Sequence, residues 1–170
     1  MRLVVDLEAN GLLYDADKIW CIVAYDLDEK WYYIHTLRPL SKDLIYGEGL
    51  LPQRYENVSI NKMLRHLGSA EQLILHNGLG YDLPLLEKLY NVRFNIDKVF
   101  DTFTASSLFY PDRDGHSLGA WGARLGFPKG DHSDWTQYSD DMLLYCIRDV
   151  DVTRKVYDEL RREMAEGIAA

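Results

Sequence analysis

The chain has 170 residues, which is the length of one folded domain and too short for two ordinary domains. Hydrophobic residues make up 47% of the chain and charged residues 27%, and this balance excludes a disordered or low-complexity protein. The formal net charge of −8 argues against broad, nonspecific attachment to a phosphate backbone, although carboxylates that have captured divalent cations attract phosphate locally.

The predicted elements begin with three strands. Residues 2–8, 19–25 and 31–37 are rich in β-branched and aromatic side chains, which favour strands. Residues 26–30 supply a short polar connection between the second and the third strand. The pattern therefore predicts an antiparallel meander of three strands at the start of the chain.

After the meander the pattern alternates between helix and strand. Residues 59–67 have helical spacing, and residues 72–76 form the next apolar strand. Asp82 stands directly before Leu83 and Pro84, where a carboxylate can cap a helix whose first turn tolerates proline. We therefore expect a second helix that begins at Asp82.

The last part of the chain is predicted to be helical, with one interruption. A short helix is expected over residues 118–125 and an irregular loop over residues 127–138. Ser139 can cap a long final helix. This order of elements predicts an α/β fold in a single domain, residues 1–170. The final helix shows an apolar stripe at helical spacing, formed by Met142, Cys146, Val150, Thr153, Tyr157 and Leu160.

Two carboxylates occur in the first predicted strand. Asp6 and Glu8 are two positions apart, so their side chains leave the same face of the sheet and can converge on one cation. Acidic residues at strand ends are common, but the preceding Val4 and Val5 indicate a buried central strand. A buried carboxylate must be paired, protonated or bound to metal, and no lysine lies near these two in the sequence.

Further candidates lie in two distant segments. Asp82 follows a strand and a glycine-rich turn, where α/β proteins build their sites, although a plain helix cap explains it equally well. Tyr145 and Asp149 are four positions apart on one face of the final helix, so both can point into a cleft or simply into solvent.

The available side chains favour hard cations. Carboxylates from separate segments suit Mg²⁺ or Mn²⁺, and the five histidines show no metal-ligand spacing that would indicate zinc. Cys21 and Cys146 stand among apolar residues and are expected to be buried thiols. The sequence contains neither a phosphate-binding glycine loop nor a nucleophilic serine elbow.

Three motifs together carry a family resemblance. Asp6-Leu-Glu8, Asn77-Gly-Leu-Gly-Tyr81-Asp82 and Tyr145-Cys-Ile-Arg-Asp149 resemble the three exonuclease motifs of the DEDD (DnaQ-like) 3′→5′ exonucleases. The tyrosine of the third motif marks the DEDDy branch. The resemblance extends over nearly the whole chain, including Asp101-Thr102 and the segment from His116 to Gly126, and is strongest to the proofreading domains of phage family A DNA polymerases.

The resemblance implies a fold and a set of roles. The fold would be ribonuclease H-like, a mixed sheet with the meander at its N-terminal end and helices on both faces. Tyr145 would orient the attacking water, Leu12 would wedge at the terminal base, and Asn77 would contact the last nucleotide. Two Mg²⁺ or Mn²⁺ ions per site would be held by four carboxylates, called the acidic tetrad below: Asp6, Glu8, Asp82 and Asp149.

The implied activity is the removal of nucleoside 5′-monophosphates from single-stranded or frayed DNA 3′ ends. One alternative is a 3′→5′ exoribonuclease with the same tetrad, because a 2′-hydroxyl contact needs no diagnostic motif. Another is a noncatalytic nucleic-acid-binding or replisome module. The partner would be DNA or RNA, with or without a separate polymerase, so the chain either acts alone or is an excised polymerase domain.

The expected location is the cytoplasm, that of the host if the chain comes from a phage. No stretch of the sequence approaches the roughly 18 apolar residues of a membrane span, and no secretory segment begins it, so we expect no membrane contact.

Overall fold

The computed structural model describes residues 1–169, and the side chains of residues 1–167. Its centre is a mixed sheet of six strands. They are β1 (Arg2–Ala9), β2 (Ile19–Asp26), β3 (Trp31–Thr36), β4 (Tyr55–Asn57), β5 (Gln72–Leu75) and β6 (Val99–Asp101).

The spatial order of the strands is β4-β3-β2-β1-β5-β6. β1, β2 and β3 pair antiparallel in sequence order, which confirms the predicted meander. β5 pairs parallel with β1, β6 with β5 and β4 with β3. β1 therefore lies in the middle of the sheet, with hydrogen-bonded neighbours on both sides.

Six helices and one 3₁₀ turn (Ile96–Lys98) surround the sheet in the described residues. Sequence analysis missed α1, α4, β4 and β6, because elements of three to eight residues carry little periodicity of their own. The helices are α1 (Lys42–Tyr46), α2 (Ile60–Ser69), α3 (Asp82–Tyr90), α4 (Thr102–Phe109), α5 (Leu118–Arg124) and α6 (Asp140–Ala169).

Alternation along β1 divides the core between the two faces of the sheet. Leu3, Val5 and Leu7 pack with residues of α2 and α3 on one face. Val4 packs on the other face with Met142 and further residues of α6. Helices therefore cover both faces, as expected, and the even-numbered positions of β1 face α6.

The long helix α6 starts where the sequence predicts. The Ser139 hydroxyl accepts a hydrogen bond from the Met142 amide at 3.1 Å, and two aspartates stand in the first turn, where the helix dipole favours negative charge. All six residues of the predicted stripe are buried. No helix among the described residues is long and apolar enough to cross a bilayer.

A smaller cluster joins α5 to the second half of α6. Trp121 is fully buried there, against Val152 and Val156, and its indole N–H donates to the Ser106 hydroxyl at 3.0 Å. Trp20 of β2 is buried as well, in the cluster on the α6 face of the sheet.

Trp121→Phe should lower the free energy of unfolding by about 1–3 kcal/mol, because it removes the bond to Ser106 and leaves a small cavity. The matched change Trp31→Phe affects a half-buried residue of β3 and should cost less than about 0.5 kcal/mol. Urea unfolding measures both variants, and equal losses would contradict the assigned role of the Ser106 bond.

Candidate active site

The centre of the site is built on β1. Asp6 and Glu8 leave the face of the sheet that α6 covers, and the Cys146 thiol of α6 donates to Asp6 Oδ2 at 3.4 Å. Potential ligand atoms of Asp6, Glu8 and Cys146 lie within 4.8 Å of one another. Cys21, opposite Glu8 on β2, and Cys146 are both free and buried, as predicted.

Asp82 lies in the first turn of α3 rather than at its cap. The N-cap residue is Tyr81 and makes no side-chain capping hydrogen bond, so the capping role predicted for Asp82 is wrong. The physical reason is that Tyr81 has the non-helical backbone of a cap residue (φ −140°, ψ −66°), so Asp82 falls at the first helical position.

The turn before Asp82 is held by Asp101, which the sequence marks only through the family resemblance. Asp101, buried at the end of β6, accepts hydrogen bonds from the amides of Asn77 and Leu79 at 3.1 and 3.0 Å. It also caps α4 by accepting from the amides of Phe103 and Thr104. One carboxylate thus fixes the turn that carries the second motif, and no spacing in the sequence indicates this contact.

Asp149 and Tyr145 lie on α6, and a lysine from a loop contacts both of them. Lys129, in the irregular loop before α6, places its ammonium 3.1 Å from Asp149 Oδ2 and 4.8 Å from the centroid of the Tyr145 ring. Sequence analysis found no lysine near the carboxylates of β1, and the fold supplies one to Asp149 from a distant loop. Trp135 of the same loop packs edge-on against Tyr145.

The four carboxylates influence one another. Burial and then the charges of Glu8, Asp82 and Asp149 raise the pKa of Asp6 well above its usual range. Burial raises the pKa of Asp82 to about 7 and, together with neighbouring charges, that of Glu8 to about 9. Burial also raises the pKa of Asp149, and the charge of Lys129 opposes this rise. The structure therefore brings the acidic tetrad together, and the roles of its members stay predictions.

The acidic tetrad can bind divalent cations, because two of its buried oxygen atoms have no other partner within the described residues 1–167. Asp82 Oδ1 and Asp149 Oδ1 are buried and have no hydrogen-bond partner among the residues that the structure describes. Buried polar atoms normally have partners, and hard oxygen donors are the ligands that Mg²⁺ and Mn²⁺ prefer. When all four members are ionised, the tetrad has an excess of negative charge that Lys129 alone does not neutralise.

An apolar pocket of about 400 Å³ adjoins Glu8, and its lining includes Leu12, Tyr81 and Trp135. The Leu12 side chain is 76% exposed at the pocket. The sequence gives no signal for Trp135, because an aromatic residue inside an irregular loop has no periodicity to indicate a role.

The loop that presents Leu12 is fixed from α3. The Lys88 ammonium donates to the carbonyls of Leu13, Tyr14 and Ala16 at 2.8–3.0 Å. The Tyr81 hydroxyl, directly before Asp82, donates to the carbonyl of Gly11. Lys88 therefore stabilises the backbone of the loop that carries Leu12.

Asn77 lies in the turn between β5 and α3, exposed, with a left-handed backbone (φ +61°). Its amide is bonded to Asp101, and its side-chain oxygen lies close to Gly80, where a Cβ atom would approach it to 2.8 Å. The structure thus places Asn77 next to the second motif.

The mixed sheet and the helices on both of its faces define a ribonuclease H-like fold. An apo form of a nuclease superposes with a TM-score of 0.68 at 22% identity, covering 98% of this chain and 74% of that chain. Brucella melitensis NrnC with bound Mg²⁺ superposes with the same TM-score and coverage at 19% identity, and so does NrnC bound to pGG.

The sequence is 27% identical to the DNA-directed DNA polymerase of Enterobacteria phage T3 and 26% identical to that of Escherichia phage T7. Each similarity covers 93% of this chain and 26% of the polymerase, so the chain spans about a quarter of the length of these relatives. No family model matches the sequence. Sequence and fold together confirm the predicted resemblance to DnaQ-like exonucleases.

Asp101→Ala should leave four backbone amides without their acceptor and lower the free energy of unfolding by about 3 kcal/mol. Hydrogen exchange at the amides of Asn77 and Leu79 should accelerate, and Asp101→Asn, which keeps one accepting oxygen, should lose less. Asp97→Ala, at an exposed acid in the neighbouring 3₁₀ turn, is the control. Unchanged exchange at both amides in Asp101→Ala would contradict the anchoring role.

Without metal, the protein should become less stable as the pH rises. The carboxyl pKa values of Asp82 and Glu8, about 7 and about 9, lie above those of an unfolded chain, so the folded state holds protons that the unfolded state has released. The free energy of unfolding should therefore fall between about pH 4 and pH 9.

Thermal unfolding in EDTA at several pH values measures this dependence. Glu8→Gln should flatten it, because an amide does not ionise, whereas the exposed Glu48→Gln should behave like the wild type. A melting temperature that rises steadily towards high pH would show that the site does not strain the metal-free fold.

Proposed function

We propose that this protein is a metal-dependent 3′→5′ exonuclease that removes nucleotides from DNA 3′ ends, preferring single-stranded or frayed termini. The observation that carries the proposal is the convergence of four carboxylates from three separate segments, three of them buried and Asp6 half-buried, with Tyr145 beside Asp149. Similarity to phage DNA polymerases and to the fold of NrnC supports it. In this proposal residues 1–170 form one exonuclease domain, which acts alone or beside a polymerase.

Asp6, Glu8, Asp82 and Asp149 would hold two Mg²⁺ or Mn²⁺ ions. When bound, such ions lower the pKa of water and stabilise the negative charge on a departing oxygen. NrnC, whose fold is similar, has been solved with Mg²⁺, which supports the choice of cation.

Tyr145 would position the attacking water. Burial raises the pKa of its hydroxyl to about 12, so the group stays protonated at neutral pH and can both donate and accept a hydrogen bond. The contact with Trp135 and the close approach of Gly130, where a Cβ atom would lie 3.3 Å from the Tyr145 ring, restrict how the ring can turn.

The substrate strand would be received by the apolar side of the site. Leu12 and Trp135 flank the pocket beside Glu8, where a terminal base can stack while its phosphate faces the carboxylates. Asn77 would contact the last nucleotide. Stacking tolerates every base, so little sequence preference is expected.

RNA is the second candidate substrate, because the same side chains would act on either sugar. The similarity in fold to NrnC, which has been solved bound to pGG, supports testing short oligonucleotides as well as long DNA.

The test uses 5′-labelled single-stranded DNA, duplex DNA, RNA and pGG with Mg²⁺, Mn²⁺ or EDTA. The wild type should give a ladder of shortened labelled DNA with either cation and none in EDTA. Asp6→Ala and Asp149→Ala should each lower kcat by on the order of 10³-fold and Tyr145→Phe by about 10²-fold. Asp158→Ala, at an exposed acid of α6, should retain full activity.

The competing functions give different results. A labelled mononucleotide as the first product would show that the enzyme degrades from the 5′ end. A ladder from RNA alone would favour the exoribonuclease. Cleavage that survives EDTA, or that both alanine variants retain, would refute the metal-dependent mechanism. Binding of DNA without any cleavage would indicate a noncatalytic module.

A further inference from the structure

The segment of residues 127–130 is fixed against α5 and α6. The Arg148 side chain donates from Nε to the Pro128 carbonyl at 2.8 Å, and its guanidinium lies 3.4 Å from the centroid of the Phe127 ring. On the other side the segment touches Gly122, where a Cβ atom would approach the Lys129 amide nitrogen to 3.1 Å. Lys129 is therefore presented to the site by a packed backbone, not by a free loop.

The Lys129 ammonium sits at the edge of the acidic tetrad. It bonds to Asp149 Oδ2 and lies over the Tyr145 ring, with 32% of its side chain exposed against 7% for Asp149. The other oxygen of Asp149 has no partner in the described part of the chain. The charge of Lys129 also acts on Glu8, across the site.

An ammonium ion and a divalent cation compete for the same carboxylate. Both are positive, so a cation bound at Asp149 repels the lysine, and each weakens the other's binding. The lysine has a flexible four-carbon stem and can move away while its backbone stays fixed. A phosphate oxygen at the metal-loaded site would then be the nearest new partner for its charge.

We propose that Lys129 is a positioning residue that holds Asp149 in the metal-free site, yields it to a divalent cation, and then binds a phosphate oxygen of the nucleic acid. The second half of this proposal rests on the proposed nuclease function, and the first half does not.

The first experiment measures Mn²⁺ binding by titration calorimetry without nucleic acid. Lys129→Gln should bind Mn²⁺ about fivefold more tightly than the wild type, because the competing charge is gone. Lys129→Arg keeps the charge and should restore the weaker binding. Lys155→Gln is the matched control, since Lys155 lies over the Phe127 ring and forms no ion pair with a carboxylate among the described residues.

The second experiment measures turnover of 5′-labelled single-stranded DNA at saturating Mn²⁺. Lys129→Gln should lower kcat at least tenfold while it binds the cation more tightly, and Lys129→Arg should recover part of that loss. Opposite changes in cation affinity and turnover are not expected from a merely structural lysine, whose loss would weaken both. Lys155→Gln should match the wild type in both measurements.

Three results overturn the proposal. If the Mn²⁺ affinity of Lys129→Gln equals or falls below that of the wild type, Lys129 does not compete with the cation. If Lys129→Gln binds Mn²⁺ more tightly but its kcat is unchanged, Lys129 does not bind the phosphate. Parallel loss of cation binding, turnover and melting temperature in both Lys129 variants makes the residue structural. If no nucleic acid is cleaved by any variant but Lys129→Gln still binds Mn²⁺ more tightly, the nuclease function fails and the exchange at Asp149 stands.

Discussion

The structure depends on holding four carboxylates, three buried and one half-buried, at one point without a matching number of positive charges. Desolvation and mutual repulsion both oppose this arrangement, and the raised pKa values of Asp6, Glu8 and Asp82 express that cost. The apolar core on the two faces of the sheet must offset it. Such electrostatic repulsion is characteristic of sites that bind cations, because a bound cation relieves the repulsion and thereby stabilises the folded protein.

The fold holds the carboxylates by giving each a different rigid support. β1 carries Asp6 and Glu8 between two hydrogen-bonded neighbours, and α6 carries Asp149 beside its own buried apolar stripe. Asp82 depends on a turn, and Asp101 stabilises that turn with a buried carboxylate of its own. The charge of Asp101 also raises the pKa of Asp82, so the residue that fixes the site adds to its electrostatic strain.

The surroundings of the tetrad are asymmetric. Lys129 brings a positive charge to the side of Asp149, while Leu12 and Trp135 form an apolar wall on the side of Glu8. In the proposed function this asymmetry suits a strand end, because the phosphate and the base of one nucleotide require opposite environments. The −8 net charge of the chain is compatible with such a role, since attraction is needed only at this point.

Local patterns in the sequence determined the meander, the start and buried stripe of α6, and the shared face of Asp6 and Glu8, because each follows from the period of one element. Only the tertiary structure decided the rest. It turned Asp82 away from its expected helix cap and brought Asp101, Lys129 and Trp135 to the site. Those contacts join residues far apart in the chain from turns and loops, where side-chain direction is set by packing against other elements and no repeating pattern records it.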